Sequence, residues 1–429
     1  MKKLIFAILA LLMSSLCELS AQDLLSKLEA LPSVKKVETL DSGDFAEKYL
    51  LYFEQPIDHK HPKKGTFTQR VFVSNVSVDS STVLVTEGYG AAYGMNGRNR
   101  SEVSRLFNLN NIVVEHRYFL ESTPEGKNWK YLTAENEAND LHRIVTELKT
   151  VFPKKWISTG SSKGGQNTVI YRSFFPDDMD ISVPYVGPFC RGVEDGRHEP
   201  FIANFAGTPE ARQKILDIQT EFLKRRDRLM PMLKDLVESR GYKYRISLDE
   251  VYDYTVLEFS FTFWQRGYNP DRIPATDISD EELFRYFTGI STPDYWEEGS
   301  PTTPFFVMAA KELGYYGYDI KPFKPYLTIK SAKHYLKKIW LPKEVKNVRF
   351  SKKLSRRLDK FIKKTDCRIL FVYGEFDPWS AVRAGDKHGS NVHIFIKPGG
   401  SHSSNINTLP EEMKAEALSI LSQWLYTTK

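Results

Sequence analysis

The segment Gly160-Ser161-Ser162-Lys163-Gly164 sets a serine between two glycines at the Gly-x-Ser-x-Gly spacing. That spacing suits a hydroxyl nucleophile on a sharp turn from a strand into a helix, with glycines where the two run too close for a side chain. Five residues are a weak signal alone and gain meaning from their context. Trp156–Thr159 before them reads as a strand, and Lys163-Gly164-Gly165-Gln166-Asn167-Thr168-Val169-Ile170 begins a helix. Ser161 does not have this spacing. The plain alternative is a Gly/Ser turn that merely joins strand to helix.

A serine hydroxyl attacks only when a base takes its proton, so a histidine held by a carboxylate must follow, in the chain order Ser, acid, His. Of the nine histidines, His388, His393 and His402 lie late enough in the chain. His393 falls inside a strand and His388 in a surface-like loop. His402 occupies the turn Lys397-Pro398-Gly399-Gly400-Ser401-His402-Ser403 after that strand, where such a base belongs. The acid should close the preceding strand, and Gly374-Glu375-Phe376-Asp377-Pro378-Trp379 supplies Asp377, with Glu375 and Asp386 as substitutes. Asp-Pro also reads as a helix cap, a role that competes with full commitment to His402. An oxyanion needs backbone N–H donors. Lys163, after the serine, offers one, with its side chain expected to be exposed. The loop Gly88-Tyr89-Gly90 offers the other, from Tyr89 or in its place Gly88.

These residues need a scaffold. Lys48–Phe53, Thr66–Val73, Thr82–Glu87 and Asn111–Glu115 read as strands. Alternation follows: a helix over Ala134–Phe152, strand Trp156–Gly160, a helix from Lys163 and strand Ile181–Val186. It resumes with strand Arg368–Tyr373, a helix near Ala381–Lys387, strand Val392–Lys397 and helix Glu411–Leu425. Strands alternating with helices predict a mostly parallel sheet covered on both faces, an α/β-hydrolase fold. Residues 191–364 break the rhythm with helical periodicity and aromatic-rich turns. They read as a helical cap inserted between core segments 22–190 and 365–429.

The chain has 429 residues with a net charge of +6, enough for a large core and without tracts of low complexity. The basic run at Lys352-Lys353 and Arg356-Arg357 alternates with Leu354, Leu358, Phe361 and Ile362, the solvated face of an amphipathic helix. No groove-reading motif accompanies the charge, which speaks against nucleic acid. Lys2-Lys3 and the apolar run Leu4–Met13 have the order of a secretory signal, too short to span a bilayer, with cleavage after Ala21. Export to the periplasm or the outside is expected. The bulky Leu16 before Cys17 disfavours anchoring through a lipid. Cys190 follows the strand Ile181–Val186 and Cys367 precedes the strand Arg368–Tyr373, opposite ends of a parallel sheet, so two free thiols are expected. Neither a metal nor another cofactor is called for. Oligomeric state leaves no signature in the sequence.

The three motifs around Ser162, Asp377 and His402 resemble those of the secreted bacterial tripeptidyl aminopeptidases, serine peptidases of the PS-10 type. Gln55-Pro56-Ile57-Asp58-His59, Thr66-Phe67-Thr68-Gln69-Arg70 and Val114-Glu115-His116-Arg117-Tyr118-Phe119 are similar to that family too, and to the related prolylcarboxypeptidase and dipeptidyl peptidase II. The lysosomal group has Gly-Gly-Ser-Tyr-Gly-Gly at the nucleophile, which makes the bacterial group the nearer match. The resemblance implies peptide substrates and removal of short peptides, typically tripeptides and in some relatives after Pro, from free N-termini. A substrate ammonium then needs a carboxylate, because an unpaired buried charge is costly. Glu115, Glu258 and Glu312 are the candidates, each with a structural ion pair as the alternative. Trp264, Tyr315 and Tyr316, and less readily Phe263, are candidates for an aromatic subsite. A lipase or esterase on the same scaffold is the competing enzyme and predicts an apolar acyl tunnel. A catalytically silent peptide-binding protein is the competing class, and the intact order Ser162, Asp377, His402 argues against it.

Overall fold

A computed structural model of the chain describes residues 23–345 and 347–427. The expected leader, residues 1–21, and Cys17 lie outside the described residues. Two compact units divide the chain. The first runs to Gly160 and takes in Asn167–Ser182; the second holds Ser161–Gln166 and the chain from Val183 onward.

In the first unit β1 (Val34–Thr39), β2 (Glu47–Pro56), β3 (Thr66–Asn75), β4 (Thr82–Thr86), β5 (Asn110–Val114) and β6 (Trp156–Ser161, whose last residue belongs to the second unit) lie in the order β1-β2-β3-β5-β4-β6. β1, β2, β3 and β5 pair antiparallel, whereas β4 pairs parallel with both β5 and β6. The period of two is visible across β2 and β3. Tyr49, Leu51 and Phe53 share one core with Val71 and Val73, while Leu50 and Phe72 turn to the other face. Helix α1 (Ala134–Leu148) starts on Thr133, whose side chain accepts the Asn136 N–H, with Glu135 and Glu137 in its first turn. Its Leu141, Ile144, Val145 and Leu148 fall on one stripe and join Leu84, Ile112 and Trp156 in that first core. Each such fully buried side chain stabilises the fold by about 1.5–3 kcal/mol.

Helix α2 (Lys163–Phe174) follows β6 directly. In the second unit β7 (Ile181–Tyr185, from Val183 on), β8 (Arg368–Gly374) and β9 (Val392–Lys397) lie side by side, with β8 and β9 parallel. Between β7 and β8 the described residues form helices and turns only. They include α3 (His198–Asn204), α4 (Pro209–Lys224), α5 (Arg226–Arg240), α6 (Leu248–Arg266), α7 (Asp280–Ile290) and α8 (Lys353–Lys364); helix α9 (Glu411–Tyr426) comes after β9. A capping box between Ser247 and Glu250 starts α6, and Gly267 at φ 70° ends it. Nearly every residue from Val251 to Trp264 is buried, which marks a helix enclosed on all sides. In α8 Leu354, Leu358 and Ile362 are buried, and the basic residues between them form the outer face. Parallel strands joined by helices, with the serine turn after β6, the acid after β8 and the histidine after β9, make this an α/β-hydrolase fold.

Three local expectations change. Strand β1 is absent from the sequence reading, because Lys35, Lys36 and Glu38 hide its alternation; charged side chains of this kind suit a sheet edge. The helix expected near Ala381–Lys387 is a single 3-10 turn, Pro378–Val382. The chain leaves it extended at Arg383, and the Ala384 N–H donates to the Tyr373 hydroxyl instead of continuing a helix. Lys163, expected to be exposed, is buried. Cys190 and Cys367 are both free thiols.

Candidate active site

Ser162 has φ 56°, a left-handed conformation that a non-glycine residue rarely adopts. Ser161, the last residue of β6, lacks it. The Ser162 N–H donates to Tyr185 O (3.0 Å), and Ser162 O accepts the Gln166 N–H (2.9 Å), so the turn is tied both to the end of β7 and to its own helix. Close approach requires glycine at Gly187. A Cβ on that residue would lie 2.8 Å from the Gly165 carbonyl carbon and 2.9 Å from Gln166 N.

Asp377 and His402 meet. His402 Nδ1 lies 2.7 Å from Asp377 Oδ2, with the carboxylate fully buried and the imidazole 14% exposed. The other carboxylate oxygen, Oδ1, accepts the Trp379 N–H at 3.1 Å. Capping and holding the histidine therefore coexist, one oxygen for each. Gly374 makes the arrangement possible, since a Cβ there would strike Ser401 O at 2.3 Å and Gly400 at 2.6 Å. Glu375 accepts the Gly399 N–H (2.7 Å) and so braces the histidine turn, while Asp386 is exposed and pairs with Arg383. Of the three acids, Asp377 alone reaches His402. The His402 N–H donates to Gln265 O (2.9 Å), one residue before the end of α6, and His402 Nε2 is buried without a hydrogen-bond partner. His393 packs on Trp424, and His388 is exposed.

An aromatic wall stands beside this histidine. The Trp379 ring lies 6.3 Å from His402, and the rings of Phe261, Tyr315 and Tyr316 lie 5.4–5.6 Å from Trp379. Tyr316 stacks on Phe261 at 3.7 Å and donates to Glu258. Trp264 packs edge-on to Phe376 (5.8 Å) and against Phe263, which is itself core.

The expected amine-binding carboxylates fare differently. Glu115 is fully buried and committed: Arg70 donates to both of its oxygens, at 2.9 and 2.6 Å, and Ser122 and the Ala91 N–H complete the set. It holds a structural ion pair, and no oxygen is left for a substrate. Glu258 accepts from Thr262, Tyr316 and Tyr318, and burial pushes its carboxyl up to about 7. Glu312 lies half-buried, and its charge acts on the neighbouring Lys311. Gly88 N–H is engaged by the Glu87 carboxylate (2.8 Å), and Tyr89, in the first unit, accepts the His116 N–H at its carbonyl (3.2 Å). Among the described residues no cluster of metal-ligating side chains forms and no helix is long and apolar enough to cross a membrane.

The description PS-10 peptidase S37 matches this sequence over residues 17–428. The chain belongs to this family. It is accordingly a serine peptidase, a hydrolase. Prolyl tri/tetrapeptidyl aminopeptidase of Streptomyces mobaraensis is 31% identical over 416 residues, 94% of this chain and 85% of the relative. Among solved structures, proline iminopeptidase of Mycobacterium smegmatis superposes with a TM-score of 0.38 at 12% identity, over 91% of this chain and 98% of that one. Acetyl xylan esterase 1 of Thermoanaerobacterium gives 0.37 at 13%, over 94% and 92%.

Sequence reasoning passed over one carboxylate in the second unit. Glu199, next to His198 at the start of α3, lines a cavity of about 360 Å³ in the second unit, and one of its oxygens is buried without a partner. It stands in no motif. The turn Gly192–Gly196 just before it was its single signal, and that marks a loop.

Proposed function

We propose that this PS-10 peptidase releases short peptides, tripeptides first among them and cut after Pro in some substrates, from free N-termini through an acyl-enzyme. Ser162 is the nucleophile, His402 the base that takes its proton and later returns it to the leaving amine, and Asp377 the group that fixes the imidazole tautomer. The Lys163 N–H contributes to the oxyanion site. The helical stretch 191–364 acts as the cap that excludes internal chain, and the leader 1–21 directs export.

One observation carries the reading. His402 Nδ1 is held by a fully buried Asp377, which leaves Nε2 as the working nitrogen, buried and uncommitted, in the same compact unit as the left-handed Ser162. Hydrogen bonds to a nucleophile often tighten only when substrate binds. The name of the Streptomyces relative supports tri- and tetrapeptides as products.

Chromogenic amides of di-, tri- and tetrapeptides, with free and acetylated N-termini, test this. Fastest release from the free tripeptide or tetrapeptide amide is expected. An acetylated tripeptide cleaved as fast as the free one would sink the exopeptidase reading. Activity confined to acyl esters would favour the esterase.

A further inference from the structure

Buried polar atoms without a partner are rare in folded proteins, and each calls for an explanation. Several gather beside His402. They are Trp379 Nε1, both ring nitrogens of His198, Trp264 Nε1 and Glu199 Oε2, together with His402 Nε2 itself. His198 is fully buried and packs edge-on against Trp379 at 5.3 Å, so this orphaned set runs from the candidate base through Trp379 to the start of α3.

Glu199 differs from the rest because it can carry negative charge. Its carboxylate lines the cavity of about 360 Å³, whose walls include Leu257, Phe261, Trp264, Tyr318 and Phe323. That volume falls within the range of small-ligand sites. Glu199 forms no ion pair among the described residues. The cavity's arginine, Arg212, donates instead to the carbonyls of Ala206 (3.2 Å) and Gly207 (2.7 Å). The carboxylate lies against the backbone of Gly317: a Cβ there would come within 2.5 Å of Glu199 Oε1 and displace it from this position. Asp195, Asp319 and Glu194 add negative potential around it, and burial raises its carboxyl above the ordinary value.

A carboxylate without an ion-pair partner, set among aromatic faces, is complementary to a compact monovalent cation, which the ring faces also attract. The cavity wall also connects to the candidate base: ring contacts of 5.4 and 6.3 Å lead from Phe261 through Trp379 to His402. We propose that Glu199 receives the free α-ammonium of the substrate peptide in this cavity, which thereby reads the unblocked N-terminus and limits how many residues precede the cut. This rests on the exopeptidase reading above and names the residue that makes it selective. Glu258, enclosed and saturated by three hydroxyls, and Glu115, held by Arg70, are then parts of the framework.

The test compares wild type, Glu199→Gln and Glu199→Asp on a free and an acetylated tripeptide p-nitroanilide, with p-nitrophenyl acetate as a substrate that has no amine. Glu199→Gln is expected to raise KM for the free peptide at least tenfold. Its kcat, its rate on the acetylated peptide and its rate on the ester should stay within about twofold of wild type, so the preference for a free amine collapses. Glu199→Asp should recover part of it. A Glu199→Gln enzyme that keeps the wild-type preference overturns this inference and leaves the exopeptidase reading standing. A wild type without such preference overturns both. If no peptide amide is cleaved at all, calorimetry of the two peptides, as plain amides, with the Ser162→Ala protein decides. Tighter binding of the free one that Glu199→Gln abolishes supports the assignment, and anything else refutes it.

Discussion

Two sets of buried carboxylates, one in each compact unit, are held in opposite ways. In the first, Glu115 lies under the guanidinium of Arg70, and Asp140 accepts from Arg117 at 2.6 and 2.8 Å and from His59 at 2.7 Å. Arg117 spends its remaining donors on the carbonyls of Pro56, Ile57 and Tyr131. In these two clusters each charge meets its opposite and Arg117 places every donor on an acceptor, which is what burial demands of groups that only hold a fold together. The second unit also pairs Arg225 with Asp280 and Arg226 with Asp253. Around His402 it does not: Glu258 is buried with hydroxyls and no cation, and Glu199 and His198 keep orphaned atoms. Orphaned atoms also occur elsewhere, as at Arg172 in the first unit, so it is their gathering around the candidate base together with an unpaired carboxylate that sets this region apart.

The largest effects should come from the candidate triad. Ser162→Ala is expected to lower kcat by about 10⁶-fold and to abolish labelling by a fluorophosphonate, with an unchanged melting temperature. A variant that is still labelled would move the nucleophile elsewhere. Asp377→Asn should follow with a loss of about 10⁴-fold in kcat, because the amide favours the wrong imidazole tautomer. Its carbonyl oxygen can still accept the Trp379 N–H, so the loss should appear in kcat with stability nearly intact. A matching fall in stability would mean that capping, and not the histidine, is the main task of Asp377.

How far these residues were legible in the sequence depends on where their partners sit in the chain. Ser162, Asp377 and His402 each follow a strand, and glycines lie close by, so local pattern and chain order sufficed to single them out as candidates. Choosing Asp377 over Glu375 was legible too, although Glu375 turned out to be a brace for Gly399. Partners far apart in sequence left no trace. Glu115 looked available because Arg70 stands 45 residues away, and the setting of Glu199 is made by Gly317, Trp264 and Tyr318. Strand β1 was hidden for another reason, since an edge strand presents charge where a central one presents alternation.

Removing one partner of a saturated pair sharpens the contrast at a smaller scale. Arg70→Met leaves Glu115 buried with only Ser122 and the Ala91 N–H, and should cost about 3–5 kcal/mol of stability, read from urea unfolding. KM for a free tripeptide amide should stay unchanged in the protein that remains folded. A rise in KM like that expected for Glu199→Gln would return Glu115 to the list of amine-binding residues.

The smallest effect concerns Glu258 and has a definite sign. Burial raises its carboxyl from the ordinary 4.5 to about 7 in the folded protein, against the opposing pull of the Tyr318, Thr262 and Tyr316 hydroxyls. Folding thus favours the protonated acid. The stability this provides is complete below pH 4.5, declines as pH rises and is lost through pH 7, a change of roughly 3 kcal/mol. Glu258→Gln stays neutral throughout, so its stability relative to wild type should climb between pH 4.5 and 8 and then level off. Parallel urea midpoints for the two proteins across that range measure it. A constant difference would mean that Glu258 is ionised when buried and has a cationic partner, as Glu115 has in Arg70, and the distinction between the two units would fail at this residue.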